Sequence, residues 1–125
     1  MPQKKVVLID DENLMRITTS LLLKHHGFEI VAAANGEEGL AAVRGHLPDI
    51  VLLDIMMPEM DGWEVLRRLK GDELTRNIKV VIFTACDLPV PDNIREKYGN
   101  FDILKKPFHI EQLLEMVTKK ESGNG

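Results

Sequence analysis

The stretch Ile50-Val51-Leu52-Leu53-Asp54 limits what this chain can fold into more than any other. An unbroken apolar run without polar alternation reads as a strand buried on both faces, the pattern of a parallel sheet covered by helices. The run stops at a carboxylate. Behind it comes IMMPEMDG (Ile55 to Gly62), in which Pro58 and the pair Asp61-Gly62 signal a loop and a helix start. An aspartate at the carboxyl end of a buried parallel strand stands where open α/β sheets place ligands and chemistry.

The rest of the chain supplies the partners such a strand needs. Val6-Val7-Leu8-Ile9 is a second apolar run that ends in acids, Asp10-Asp11. Leu14, Ile17, Leu21 and Leu22 recur at helical spacing, with Gly27 placed to end that helix. Phe28 to Ala32 reads as a strand, and Asn35-Gly36 opens a helix with Leu40, Val43 and Leu47 on one face, closed by Pro48. Asp49 to Asp54 is the central strand. Asp61 is placed to cap a helix with the stripe Val65, Leu66 and Leu69, ending near Gly71. Lys79 to Phe83 is a fourth strand that delivers Thr84-Ala85. Pro89 and Pro91 restrict the next helix to about Pro91 to Tyr98. Phe101 to Lys105 is a fifth strand, and Ile110, Leu113, Leu114 and Val117 mark the last helix.

Five strands alternating with five helices predict right-handed βαβ units and a five-stranded parallel sheet, doubly wound in the order 2-1-3-4-5. The 125 residues fill one domain, 1–125, with a core over about 4–119 and a polar, frayed tail at 120–125. A net charge of −4 without a basic cluster argues against a nucleic-acid-binding surface. The single Cys86 excludes a disulfide framework, and no apolar run is long enough for a signal peptide or a membrane span. A cytoplasmic protein is expected.

In a sheet of this order the carboxyl ends of neighbouring strands share one rim, which brings together Asp10, Asp11, Asp54, Thr84 and Lys106. Taken singly, each is a cap, a turn former or a solvated charge; the convergence of all of them on one rim is what marks a site. Three crowded carboxylates repel, and either a raised pKa or a bound cation relieves them. Hard oxygen ligands suit Mg²⁺, with an ammonium and a hydroxyl left to meet a phosphoryl group and a carboxylate available as nucleophile. Other candidates are weaker. His25, His26, His46 and His109 lack metal-ligand spacing, Cys86 has no histidine partner, and Trp63, Met56, Met57 and Met60 read as packing. Neither GxxxxGK[ST] nor GxGxxG occurs.

The ordered set VLIDDE (Val7 to Glu12), VLLDIMMPEMDG (Val51 to Gly62), FTA (Phe83 to Ala85) and KKPF (Lys105 to Phe108) resembles the response-regulator receiver domains of two-component signalling, over about Lys4 to Lys119. The resemblance implies a flavodoxin-like fold and a phosphoprotein switch that catalyses only its own phosphorylation and dephosphorylation. It implies that Asp54 is the phosphoacceptor, taking its group from a histidine kinase, a phosphorelay partner or a small acyl phosphate. It further implies Mg²⁺ held by Asp11, Asp54 and the Met56 backbone carbonyl, with Asp10 acting through water. Lys106 would pair with the phosphoryl oxygens, Thr84 would swing to hydrogen-bond them, and Pro107 would be cis. A downstream protein target, and a monomer or a phosphorylation-dependent dimer, complete the expectation.

One position departs from the family pattern. Ile103 stands three residues before Lys106, where the family usually carries Tyr or Phe, and an aliphatic side chain cannot make the aromatic in–out swing. Phe101 is the nearest aromatic alternative, and the signal-output set is therefore Thr84, Ile103 and Phe101, within a partner face from Leu88 to Lys119. Competing readings are a receiver-fold interaction module that takes no phosphate, a receiver fragment of a hybrid kinase or larger regulator, and a metal-dependent phosphatase or flavin protein on a similar fold. The last lacks an additional general acid and a Ser/Thr-rich phosphate loop, and Asp10-Asp11-Glu12 would repel a flavin phosphate.

Overall fold

The computed structural model describes residues 4–84, 90, 93–94 and 101–118. Within them the elements run β1 (Lys5–Ile9), α1 (Asn13–His25), β2 (Glu29–Ala33), α2 (Gly36–His46), β3 (Ile50–Asp54), α3 (Gly62–Gly71), β4 (Lys79–Thr84), β5 (Asp102–Lys105) and α4 (Ile110–Thr118). The five strands form one sheet in the order β2-β1-β3-β4-β5, all neighbours parallel. That is the order expected of a doubly wound sheet. Four helices are described. The helix expected over 91–98 lies outside the described residues apart from Asn93 and Ile94, which are helical, as do Cys86, Ala85 and the tail.

Every residue of β3 is buried, because helices cover the sheet on both sides. Alternation along the strands sorts the core into two layers. Val7, Ile9, Val51, Leu53, Val80 and Ile82 face α2 and α3. Val6, Leu8, Leu52, Val81, Phe83 and Leu104 face α1 and α4. Local signals start and stop the helices as chemistry dictates. The Asn35 side chain accepts the Glu38 N–H at 2.9 Å and the Asp61 side chain accepts the Glu64 N–H at 3.0 Å, so both helices that follow have a side-chain cap. Gly27 takes φ +91, a left-handed turn that leads directly into β2.

Two apolar stripes differ from the sequence reading. In α1 the leucine-type stripe faces solvent: Leu14, Ile17 and Leu21 are 73%, 56% and 62% exposed, while Thr19 and Leu23 are buried and Met15 is half-buried. Residues 15, 19 and 23 lie four apart and present the face that meets the sheet. The helix is apolar on both sides, so spacing identified a helix without identifying its inner face. In α2, Val43 is buried but Leu47 is exposed at φ 44, because the chain leaves the helix there to turn into Pro48 and β3.

Candidate functional site

The register sets the rim. Ile9 lies beside Leu53 and Asp54 beside Phe83, so the residue after β1, Asp10, reaches the level of Asp54. Thr84 ends β4 beside Lys105 of β5, and the Lys106 N–H donates to the Thr84 carbonyl at 2.8 Å, carrying Lys106 onto the same rim. The Lys106–Pro107 bond is cis. One carboxylate oxygen each from Asp10, Asp11 and Asp54 lie within 4.8 Å of one another. Lys106 Nζ stands 3.7 Å from Asp10 Oδ2 and 3.8 Å from Asp54 Oδ2, and 4.5 Å from the centre of the Phe83 ring. The ring face adds attraction for the ammonium.

Burial differs sharply among the three acids. Asp10 is fully buried and Asp54 only 5% exposed, whereas Asp11 is exposed at the mouth. Burial pushes the Asp54 carboxyl up from 3.8 to about 7; Lys106 opposes the rise, the neighbouring Asp10 carboxylate adds to it, and the Met56 N–H opposes it. That N–H donates to Asp54 Oδ1 at 3.3 Å, and the Glu12 N–H donates to Asp10 Oδ1 at 3.0 Å. Among the described residues Asp10 Oδ2 is buried and accepts no hydrogen bond, and it has only the ion pair with Lys106 at 3.7 Å. A buried acceptor without a hydrogen bond beside two further carboxylates, with hard oxygen the only ligand type in the cluster, is the chemistry that suits a small divalent cation.

A model of the response regulator receiver domain matches residues 6–118. The chain belongs to the response regulator receiver domain family. It is 32% identical over 119 residues to protein PilH of Pseudomonas aeruginosa, covering 95% of this chain and 98% of that one. It is 35% identical to sporulation initiation phosphotransferase F of Bacillus subtilis, covering 95% and 94%. Among solved structures, the chemotaxis protein CheY4 of Vibrio cholerae superimposes with a TM-score of 0.83 at 28% identity, covering 91% and 95%. The chain spans only 46% and 47% of the length of two longer relatives that are transcriptional regulators. Receiver domains are phosphoacceptor signalling switches rather than classical enzymes, and in this chain Asp10, Asp11 and Asp54 cluster with Lys106 beside them.

The structure therefore brings together Asp10, Asp11, Asp54 and Lys106, with Thr84 half-buried at the end of β4. Phe101 and Ile103 sit elsewhere. Phe101 is buried against Trp63, with ring centres 5.9 Å apart, and Ile103 lies beside Ile82 at the sheet edge, 36% exposed. Three further residues, which the sequence did not mark as site residues, serve the site. Phe83 underlies Lys106. Gly62 packs so tightly that a Cβ there would collide with the Asp54 carbonyl and lie 2.7 Å from Ile55 Cα. Arg16 donates to the Asp10 carbonyl at 2.9 Å. The Asp61-Gly62 pair signalled a helix start, but close approach of α3 to β3 is a tertiary fact that no local pattern carries.

Proposed function

We propose that Asp54 accepts a phosphoryl group in a Mg²⁺-dependent reaction, and that the group comes from a phosphohistidine of a kinase or phosphotransfer protein, or from a small acyl phosphate. The observation that carries this reading is the three-carboxylate cluster with Lys106 Nζ within 4 Å of two of its members. An Asp54 oxygen forms the new P–O bond as the P–N bond of the donor, or the P–O bond of the acyl phosphate, breaks, and the imidazole or carboxylate departs with the electron pair. Asp11, Asp54 and the Met56 carbonyl are the proposed cation ligands, with Asp10 acting through water. Mg²⁺, when bound, offsets the repulsion among the acids and draws charge from the phosphoryl oxygens. The Asp54 carboxyl, at about 7 in the metal-free chain, attacks in its ionised form, which a cation at this site would favour.

Lys106 is placed to receive the phosphoryl charge that develops beside Asp54. Thr84 supplies a hydroxyl at the end of the adjoining strand, and Ile103 in β5 and Phe101 just before it lie on the same side of the sheet as Thr84. We read this side as the output face toward a downstream protein, with Ile103 acting through packing rather than an aromatic swing. The chain acts as one domain over 1–125 in the cytoplasm; no helix among the described residues is long and apolar enough to cross a membrane.

Intact mass after incubation with Mg²⁺ and acetyl phosphate tests the reading. One added phosphoryl group is expected, absent in Asp54→Asn and absent with chelator. A gain that persists in either control sinks it.

A further inference from the structure

We propose that Arg16 is the positioning residue that fixes the Asp10-Asp11 peptide for the divalent cation, a statement that rests on the cation site proposed above. The loop between β1 and α1 is only three residues, Asp10 to Glu12, and the helix that follows has no ordinary cap. Glu12 has the extended backbone of an N-cap residue but makes no side-chain hydrogen bond, and no acid lies in the first turn of α1. Arg16 fills that gap from one turn inside the helix. One terminal nitrogen of its guanidinium donates to the Asp10 carbonyl at 2.9 Å, and the other donates to Asn13 Oδ1. The side chain is half-buried, and the contact to the Asp10 carbonyl lies on its partly buried side while the one to Asn13 faces solvent.

The consequence for the site follows from peptide geometry. The Asp10 carbonyl belongs to the same planar unit as the Asp11 nitrogen, so a clamp on that oxygen sets the plane from which the Asp11 side chain departs. Among the described residues no hydrogen bond or ion pair holds the exposed Asp11 carboxylate itself, and its position is inherited from its backbone. Asp10 is already held twice, by its N–H to the Ala33 carbonyl at 3.1 Å and by the Glu12 N–H on its Oδ1. Arg16 thus acts on the acid that has no support of its own. Arginine spans the two acceptors with a rigid planar fork, whereas a lysine ammonium is a point charge on a flexible stem.

Mg²⁺ titrations of the wild-type chain, Arg16→Met and Arg16→Lys, by calorimetry and by fluorescence of the single tryptophan, Trp63, test this, with metal-free melting curves alongside. Both variants are expected to bind Mg²⁺ about 10-fold more weakly, the scale on which outer-shell partners act. Wild-type affinity in Arg16→Met together with a lowered melting temperature overturns the proposal in favour of a plain helix staple. Full affinity in Arg16→Lys overturns it in favour of charge alone. If the wild-type chain itself binds no Mg²⁺, the cation site fails and this inference with it, an outcome that the wild-type titration alone reveals.

Discussion

Replacing Asp54 by Asn stabilises the metal-free protein, and the gain grows with pH. Burial holds the Asp54 carboxyl at about 7 against its ordinary 3.8. Between about pH 4 and pH 7 the folded chain keeps this proton while the unfolded chain releases it, so folding stability falls as pH rises through that window and levels off above it. A rise from 3.8 to about 7 sets a ceiling of ~4 kcal/mol at ~1.4 kcal/mol per pH unit. The site opens to solvent through Asp11, and screening there reduces the expected gain to ~2 kcal/mol above pH 7. At pH 5 only about the first third of the window has been crossed, and the gain is ~0.7 kcal/mol. Urea unfolding of both chains at pH 5, 6, 7 and 8 in chelator measures the difference directly. Mg²⁺ reverses the ranking, because a ligand at 100 times its Kd stabilises by ~2.7 kcal/mol the chain that binds it. A difference that stays constant across these pH values, or shrinks as pH rises, refutes the argument that Asp54 is the strained carboxylate.

Other substitutions separate the roles of the residues around it. Gly62→Ala places a methyl against the Asp54 carbonyl and Ile55; it is expected to cost ~1–3 kcal/mol in urea unfolding and to slow acetyl-phosphate labelling of Asp54 as the strand end shifts. Lys106→Met removes the ammonium that offsets burial at Asp54, so that carboxyl titrates above 7 in side-chain NMR, and labelling slows at neutral pH. Leu21→Ser, on the outer face of α1, should change stability by less than ~0.5 kcal/mol, whereas Leu23→Ala on its inner face should cost ~2–5 kcal/mol. Equal costs at 21 and 23 would show that α1 packs by its leucine stripe after all.

That last pair also shows what the sequence could and could not carry. The sheet was legible because its strands are unbroken apolar runs: Val6 to Ile9 and Ile50 to Leu53 have no polar face to offer solvent, and only a sheet covered on both sides accommodates them. The rim followed from topology, since parallel strands must end on one side, and Asp10, Asp11, Asp54 and Lys106 do meet there. The inner face of α1 was not legible, because Leu14, Ile17 and Leu21 form one helical stripe and Met15, Thr19 and Leu23 form another. Nothing local ranks a stripe that contains threonine above one made of leucine and isoleucine; the shape of the sheet surface does. Arg16 was hidden for a related reason. A charged residue on a helix reads as solvated until the structure shows its guanidinium turned back on the Asp10 carbonyl.

Ile103 sharpens the question of how a phosphoryl group on Asp54 is sensed elsewhere. Thr84 and Ile103 lie on the same side of neighbouring strands, with Ile103 beside Ile82, two residues before Thr84. A displacement of Thr84 toward the acid cluster therefore opens space along the row of Ile82 and Ile103, where an aliphatic side chain responds by repacking, without a ring to rotate. Phe101 further along that row is buried and packs on Trp63 at the start of α3. Output through packing predicts that Ile103→Ala weakens the coupling between phosphorylation and any change in Trp63 fluorescence while leaving labelling of Asp54 at its wild-type rate. Loss of labelling in Ile103→Ala would place this residue in the chemistry instead, and unchanged fluorescence coupling would take the signal off the β4–β5 face altogether.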